Sequence, residues 1–246
     1  MAENKFPSEV IDLPSEGKLY SDGSPLREGK LEIKYMTAKE EDILTSQNLI
    51  KKGLVIEKLL DSLILTKGVK SEDLVIGDKN AVMVAARILA YGPEYKVEVT
   101  NPNTGNVLEH TFDLTSCEFK NISDDINGNE FEYELPISKV KVKFKLLTGH
   151  DEKSINAELE SFRKLGKQII PELSTRLKHT ILSINGEYET KNIREFIDNY
   201  LLARDSRSLR EEIKRIQPDI DLTFFPEGQD EEVSIPIGLN FFWPDY

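Results

Sequence analysis

The chain repeats one order of short motifs, and this repeat restricts the folds that are open to it. Residues 34–40 predict a strand that leads into a helix capped by threonine, with an acidic residue three positions later. Residues 145–151 predict the same arrangement. Further matches follow in the same order: Leu13-Pro14 with Leu135-Pro136, a helix end at Gly92-Pro93 with one at Gln217-Pro218, residues 97–100 with 220–223, and turn residues 102–105 with 226–228. The common order favours an internal duplication over chance similarity of turn and cap signals.

The repeat predicts both the fold class and the organisation of the chain. Each copy contains a strand, a helical cluster and a terminal β-hairpin, which is an α+β fold. The offset between matched residues varies from 111 residues, for Lys34 and Lys145, to 125 residues, for Pro93 and Pro218, so each copy carries its own insertions. We expect an extended N-terminal arm over residues 1–30, a first unit over 31–130, and a second unit over 131–246 that ends in an aromatic tail.

Two local patterns in the second unit lead to further predictions. Lysines at positions 139, 141, 143 and 145 alternate with apolar residues and predict a strand with its lysines on one face. Two interpretations are open, an edge strand that the lysines protect against aggregation or a face that binds a partner. Pro171 begins a helical stretch that is predicted to reach roughly Leu182.

Composition argues against several classes of function. Asp and Glu outnumber Lys and Arg by 44 to 32, which gives a net charge of −12. Such a charge repels phosphate backbones and anionic lipids, so we expect no nucleic-acid partner and no membrane partner. Cys117 is the single cysteine and the first residues lack the apolar run of a signal peptide. We therefore expect a soluble protein that is cytosolic when made.

Candidate catalytic chemistry is sparse. His110, His150 and His179 are the three histidines, and they lie far apart in the sequence. The acidic pair Asp151-Glu152 beside His150 suits a helix start, because the helix dipole favours negative charge there. The sequence has no phosphate-binding loop or dinucleotide fingerprint, and one cysteine cannot build a cysteine zinc site. We predict a non-enzymatic protein with no catalytic residues, no cofactor and no metal site.

Residues near the two ends of the sequence are the candidates for partner binding. Four of the last six residues, 241–246, are aromatic. Leaving these side chains in water would be unfavourable, so this tail either docks back on its own domain or anchors a neighbouring protein. The N-terminal arm poses the same alternatives. The candidate partner-binding residues are Phe241, Phe242, Trp243, Pro244 and Tyr246 in the tail, and Leu13, Pro14 and Tyr20 in the arm.

An ordered series of residues resembles a known family. In the first half of the chain, the series consists of Leu13-Pro14-Ser15, Gly17, Tyr20, Thr37, Glu40-Glu41, Ile43-Leu44, Leu74, Gly77-Asp78, Arg87, Tyr91-Gly92 and Tyr95. In the second half, the series consists of residues 144–148, 205–209 and 241–244. Over nearly the whole chain, this series resembles the baseplate hub assembly protein family of T-even-type contractile-tailed bacteriophages.

The resemblance implies a role in building or completing the central hub of the tail baseplate, with no catalytic site. The implied partners are other phage tail and baseplate hub proteins, with a ring-forming or multi-copy arrangement as one option, and the implied location is the virion tail. A soluble tail assembly chaperone that is absent from the mature virion is the alternative. Many relatives carry Cys-x-x-Cys pairs at the hairpin tips, where this chain has residues 102–105 and 226–228, so zinc is not carried over.

Overall fold

A computed structural model describes the chain at residues 7–100, 107–225 and 233–242. Helices alternate with small antiparallel sheets, which confirms the α+β class. The α-helices described are α1 Ala38–Thr45, α2 Gln47–Lys52, α3 Val55–Leu63, α4 Ile76–Tyr91, α5 Gly149–Lys164, α6 Glu172–Thr180, α7 Thr190–Asn199 and α8 Ala203–Ile216. The strands described are β1 Ser8–Asp12, β2 Lys30–Lys34, β3 Glu94–Thr100, β4 Val107–Asp113, β5 Phe119–Lys120, β6 Phe131–Glu134, β7 Lys141–Phe144, β8 Ile181–Ile184, β9 Asp219–Ile220, β10 Thr223–Phe224 and β11 Val233–Ser234.

The first unit is a small sheet covered by helices. β1 pairs antiparallel with β2, and Ile33 of β2 forms a bridge with Ile64, the residue after α3. Successive side chains of a strand point to opposite faces, and here Leu31 and Ile33 are buried while Lys30 and Glu32 are exposed. The buried face of β2 contributes to the first core, together with apolar side chains of α1, α3 and α4.

The second unit is built around the antiparallel sheet β6-β7-β8. The prediction of a helix reaching Leu182 is wrong, because α6 ends at Thr180 and β8 begins at the next residue. Ile181 and Ser183 are buried while the residues after each are half-buried, which is the period of two that a strand requires. Pairing of β8 with β7 thus outweighs the local helical pattern.

The lysine-rich strand is not an edge strand, so that interpretation is wrong. It is β7, the central strand of the sheet. Lys141 and Lys143 lie opposite Glu134 and Glu132 of β6, and the Lys143 and Glu132 side chains approach to 3.6 Å. Opposite charges across a strand pair are stabilising. The lysines on this face therefore compensate the charge of the acidic residues on the neighbouring strand.

Both units begin their helical cluster with the same hydrogen-bonded trio. In the first unit, the N–H and hydroxyl groups of Thr37 donate to Glu40 Oε2 at 2.9 and 2.6 Å, and Lys34 Nζ donates to Glu40 Oε1 at 2.8 Å. The counterparts in the second unit are Thr148, Asp151 and Lys145. There the same three bonds measure 3.0, 3.1 and 2.7 Å. Each trio joins the end of a strand to the start of α1 or α5.

A buried aspartate occupies the third position of one helix in each unit, α4 in the first and α8 in the second. Asp78 of α4 accepts hydrogen bonds from the Ser15 N–H at 2.9 Å and the Ser15 hydroxyl at 2.6 Å. Asp205 of α8 accepts from the N–H groups of Ile137 at 2.8 Å and Ser138 at 3.0 Å. In both units the donors follow the Leu-Pro pair. These contacts support the duplication, which stays an interpretation.

Buried apolar side chains form three clusters. The first core draws on α1, α3 and α4, the second on β7, α6, α7 and α8. A smaller cluster of Leu19, Val75, Ile122 and Leu146 contains residues from both halves of the chain. Leu222, Phe224 and Ile235, from the end of the sequence, pack in the first core. The division of the chain at residues 30 and 130 stays a prediction.

The two units meet through backbone contacts that glycine permits. The Ile76 N–H donates to the Leu147 carbonyl at 3.1 Å, and the Gly149 N–H donates to the Leu74 carbonyl at 3.0 Å. A Cβ atom at Gly149 would lie 2.6 Å from the Cα atom of Glu72. Only glycine fits there without movement of the backbone. The junction thus fixes the start of α5 against the segment that precedes α4.

A second close approach occurs at Gly77, the second residue of α4. A Cβ atom at this position would lie 1.7 Å from the carbonyl oxygen of Pro218, which follows the end of α8. The corresponding residue of α8, the one before Asp205, is Arg204, and it is exposed. The glycine is therefore required by the contact between units and not by the helix that contains it.

Replacing Gly77 by alanine should destabilise the protein by about 1–3 kcal/mol, because the new methyl group overlaps a backbone carbonyl. Within an isolated helix the same change would stabilise by about 0.5–1 kcal/mol, so the sign is diagnostic. The measurement is the free energy of unfolding in urea. Gly23→Ala is the control, since no heavy atom lies within 4 Å of a Cβ atom built at that position. Equal stability of G77A and wild type would contradict the contact.

The carboxylate of Glu40 should make stability depend on acid pH. Burial alone would raise its pKa, but hydrogen bonds from Lys34, Ser62 and Thr37 lower the pKa to about 2, against an ordinary value of 4.5. The stabilisation is present above pH 4.5 and is lost as the pH falls towards 2, a loss of about 3 kcal/mol. Urea unfolding of wild type and Glu40→Gln should show a stability difference at pH 7 that shrinks below pH 4.5. A constant difference would count against this account.

Candidate interaction surfaces

The candidate residues of the N-terminal arm pack against the rest of the protein, and Tyr20 is half-buried. Leu13 and Pro14 are buried, and Leu13 belongs to the first core. The Tyr20 hydroxyl donates to Asp78 Oδ2 at 2.6 Å and accepts from the Val75 N–H at 3.1 Å. These contacts hold residues 13–20 against the start of α4. The binding of a partner by the three candidates stays a prediction.

The two equivalent aspartates differ in their electrostatics. Burial raises the pKa of Asp78, although the hydrogen bonds from Ser15 and Tyr20 act in the opposite direction. Burial and the neighbouring carboxylate also raise the pKa of Tyr20. Burial acts on Asp205 too, but the hydrogen bonds from the segment at Ile137 lower the pKa of Asp205 below its ordinary value. Ser15 and Tyr20 therefore serve as donors to a carboxylate in a structural role.

The tail residues that the structure describes dock on the chain itself. Phe241 and Phe242 are fully buried in the first core. The Phe241 ring lies 5.0 Å from the Tyr95 ring and 5.7 Å from the Phe242 ring, which it meets edge-on. The other tail candidates, Trp243, Pro244 and Tyr246, lie outside the described residues. The role of the tail in binding a partner stays a prediction.

The histidines are engaged in separate contacts. His110 stacks on Phe224 with ring centroids 4.7 Å apart, while His150 and His179 contact carboxylates of neighbouring segments. Burial raises the pKa of the Cys117 thiol to about 11, so little of the nucleophilic thiolate is present at neutral pH. Across residues 7–100, 107–225 and 233–242, no three His, Cys, Asp or Glu side chains are grouped to hold a metal ion. The same ranges contain no helix long and apolar enough to cross a membrane.

An apolar groove of about 420 Å³ opens between α6, α7 and the start of α8. Its lining includes Leu173 and Leu177 of α6, Ile197 of α7, and Leu201 just before α8. Ser206 of α8 also lines the groove and is 7% exposed, and its hydroxyl has no hydrogen-bond partner among the described residues. The groove therefore combines an apolar wall with one buried polar group.

Exposed apolar side chains concentrate beside this groove. Of the twelve large apolar side chains exposed in the described ranges, five belong to the segments that border it, which marks this surface out from the rest. The five are Leu165, Ile169, Leu173, Tyr200 and Leu202. Ile169 is 82% exposed. Exposed apolar side chains near an apolar groove are typical of a surface that binds another molecule.

A larger hollow of about 840 Å³ lies between α8 and the strands near the end of the described chain. Its lining places Lys120 and Lys214 together with Asp219 and Asp221. Burial lowers the pKa of Lys120, while the charge of Asp219 acts to raise it. Opposite charges within one hollow compensate each other, so this surface has no single chemical preference. The groove beside α6 is the more specific candidate.

A family model described as T4 bacteriophage base plate protein matches residues 7–242. The chain belongs to this family. The match confirms the resemblance to phage baseplate proteins that the ordered residues indicated, and it identifies the chain as a baseplate protein of the phage tail. Membership favours a structural over an enzymatic role and implies contacts with other tail proteins. No curated protein matches the chain, and neither does any solved structure.

The sequence patterns did not single out the groove. The spacing of Ile197, Tyr200 and Leu201 is typical of one apolar helix face, and such a face is usually buried. A usable signal was the excess of apolar residues between Phe196 and Leu202, since one buried face cannot take them all. Ser206 carries no sequence signal, because its significance depends on burial without a partner.

Phe241→Ala should destabilise the protein by about 3–5 kcal/mol, because it removes a fully buried ring and leaves a cavity. The measurement is the midpoint of thermal unfolding together with the free energy of unfolding in urea. Phe225→Ala is the matched control, since that ring is 65% exposed and its removal should change stability little. Equal effects of the two substitutions would mean that Phe241 does not dock in the first core.

Proposed function

We propose that the chain is a component of the baseplate hub, or a factor that assembles the hub, and that it acts through protein–protein contacts without catalysis. The observation that carries this proposal is the family match over residues 7–242. Its partners are other tail and hub proteins. The protein acts in the host cytoplasm during assembly and then in the virion tail.

The surface chemistry supports protein partners over other ligands. The apolar groove beside α6 has Glu172 as its one charged lining residue, which suits an apolar segment of another protein. The net charge of −12 works against contact with nucleic acid or anionic lipid. A multi-copy or ring-forming arrangement, with Trp243, Pro244 and Tyr246 as further contacts, belongs to the same proposal.

The second candidate function is a tail assembly chaperone that is absent from the mature virion. The exposed apolar surface at Leu165, Ile169 and Leu173 favours it, because a holding protein must expose apolar surface to its client. A permanent subunit would instead keep this surface covered by a neighbour in the finished particle. The two functions therefore differ in whether the chain stays in the virion.

Affinity purification of the tagged chain from phage-infected cells should recover hub or tail-tube proteins, because the proposal places the chain in contact with them. Mass spectrometry of the lysate and of purified particles should be carried out side by side. An unrelated tagged protein expressed in the same infection is the control for non-specific capture.

The location of the chain then separates the two candidate functions. Presence in purified particles at a fixed stoichiometry would establish a structural subunit of the baseplate. Recovery with tail proteins from the lysate, combined with absence from particles, would establish a transient assembly factor. Recovery of no tail protein from either sample would refute both functions.

A further inference from the structure

Strand β1 is an edge strand whose outer side has no neighbouring strand among the described residues. It pairs with β2 on one side only. Just beyond the two strands, the Leu13 N–H donates to the Gly29 carbonyl at 2.8 Å. Residues that exchange backbone hydrogen bonds alternate along an antiparallel pair, so Glu9 and Ile11 also turn their backbone groups towards β2. The residues between them turn theirs outwards.

The outward residues of β1 are Ser8, Val10 and Asp12. Within residues 7–100, 107–225 and 233–242, no backbone hydrogen bond reaches their N–H and C=O groups. The side chain of Val10, at the centre of the strand, is 61% exposed. An edge that exposes both free backbone groups and an apolar side chain is a template for a further strand. The occupant that this edge fits is therefore an extended segment.

The equivalent edge of the second unit is protected against such pairing. Strand β6 is also an edge strand and, like β1, precedes a Leu-Pro pair. Counted from this pair, Glu132 stands where the first unit has Val10, and Glu134 follows two residues later. Both glutamates are exposed, and pairing of two β6 edges would place glutamates opposite each other, which is unfavourable. β1 has no charge at its centre, which sets its edge apart.

We propose that β1 pairs antiparallel with β1 of a second copy of this chain. The pairing is centred on Val10, so that each Val10 lies opposite the other and Ser8 lies opposite Asp12 of the second copy. The outward backbone groups then meet in register and bond to each other. The two small sheets become one continuous sheet across a two-fold axis. This inference rests on the proposed function only for the multi-copy arrangement, to which it assigns a contact.

The side chains of β1 suit pairing with its own copy. The two exposed valines cover each other at the centre, and such cross-strand apolar pairs are stabilising. Asp12 faces the neutral Ser8 of the second copy, and Glu9 faces Ile11 on the other side of the sheet. The two Asp12 side chains are four residues apart along the strands, or about 13 Å. Charges at this distance are largely screened at physiological salt. Repulsion between the strands is therefore small in this register.

Sedimentation equilibrium of the purified full-length chain tests the proposal. It should show a reversible monomer–dimer equilibrium between about 10 µM and about 1 mM, the range in which small interfaces bind. Val10→Glu should weaken dimerisation at least tenfold, because it places two carboxylates opposite each other at the two-fold axis. Val107→Glu is the matched control, since Val107 is 56% exposed and lies on another strand. The control should dimerise like wild type.

Salt provides a further readout of the same equilibrium. Each copy carries a net charge of −12, so the two copies repel each other at low ionic strength. Lowering the salt from about 0.15 M to about 0.01 M should weaken the dimer several-fold, because the screening length becomes longer. A dimer that strengthens at low salt would be held by opposite charges and would contradict pairing through β1.

Hydrogen exchange of the backbone amides, followed by NMR, locates the contact in the wild-type chain. Exchange of the Val10 N–H should slow several-fold as the protein concentration rises, because this group gains an acceptor in the dimer. The Glu9 and Ile11 N–H groups already bond to β2, so their exchange should change little. Exchange at Glu132 should be independent of concentration, since the proposal leaves the β6 edge open.

Three results would overturn the proposal. They are a monomer at every concentration, equal dimerisation of Val10→Glu and Val107→Glu, and exchange at Val10 that does not depend on concentration. The first result would leave the β1 edge to a strand of another protein. All three measurements use the purified chain alone and none bears on the recovery of tail proteins from infected cells. Failure of this inference is therefore distinguishable from failure of the proposed function.

Discussion

The arrangement of the two units depends on the backbone junction between residues 74–76 and 147–149. Two N–H groups, those of Ile76 and Gly149, find their acceptors across this junction, and a buried N–H group that lost its acceptor would be costly. The junction places the start of α5 against residues 71–73, and it places Val75 and Leu146 in the small cluster that contains residues of both halves. The packing of the two units therefore depends on these two hydrogen bonds and on the glycine that allows the backbones to approach.

A buried carboxylate holds the segment after the Leu-Pro pair against a helix in each unit, but the two carboxylates differ in their hydrogen-bond donors and in the direction of their pKa shifts. Asp78 is held by two hydroxyl groups and one N–H group, and burial raises its pKa. Asp205 is held by successive backbone N–H groups, which lower its pKa despite burial. Removal of either carboxylate would leave buried donors without an acceptor. The shared geometry is thus maintained by donors that have diverged between the units.

Local features of this fold were predictable from the sequence, and features set by distant contacts were not. The threonine-capped starts of α1 and α5 depend on residues within one turn, so Thr37 and Thr148 identified them correctly. Strand β8 was missed because Ile181 continues a helical pattern, and only its pairing with β7 makes it a strand. Burial of Phe241 was one of two open alternatives, since the sequence does not place the first core beside the tail. The groove was missed because a sequence pattern does not show which apolar side chains of a helical cluster stay exposed in the fold.

The groove beside α6 exposes apolar side chains that the fold does not bury. Leu173 lines it and is exposed, and Glu172 is its one charged lining residue. Exposed apolar surface lowers solubility and adds little to the stability of a lone chain, so a partner is the physical reason to retain it. The proposed role in the baseplate, which depends on protein–protein contacts, gives such a surface a use.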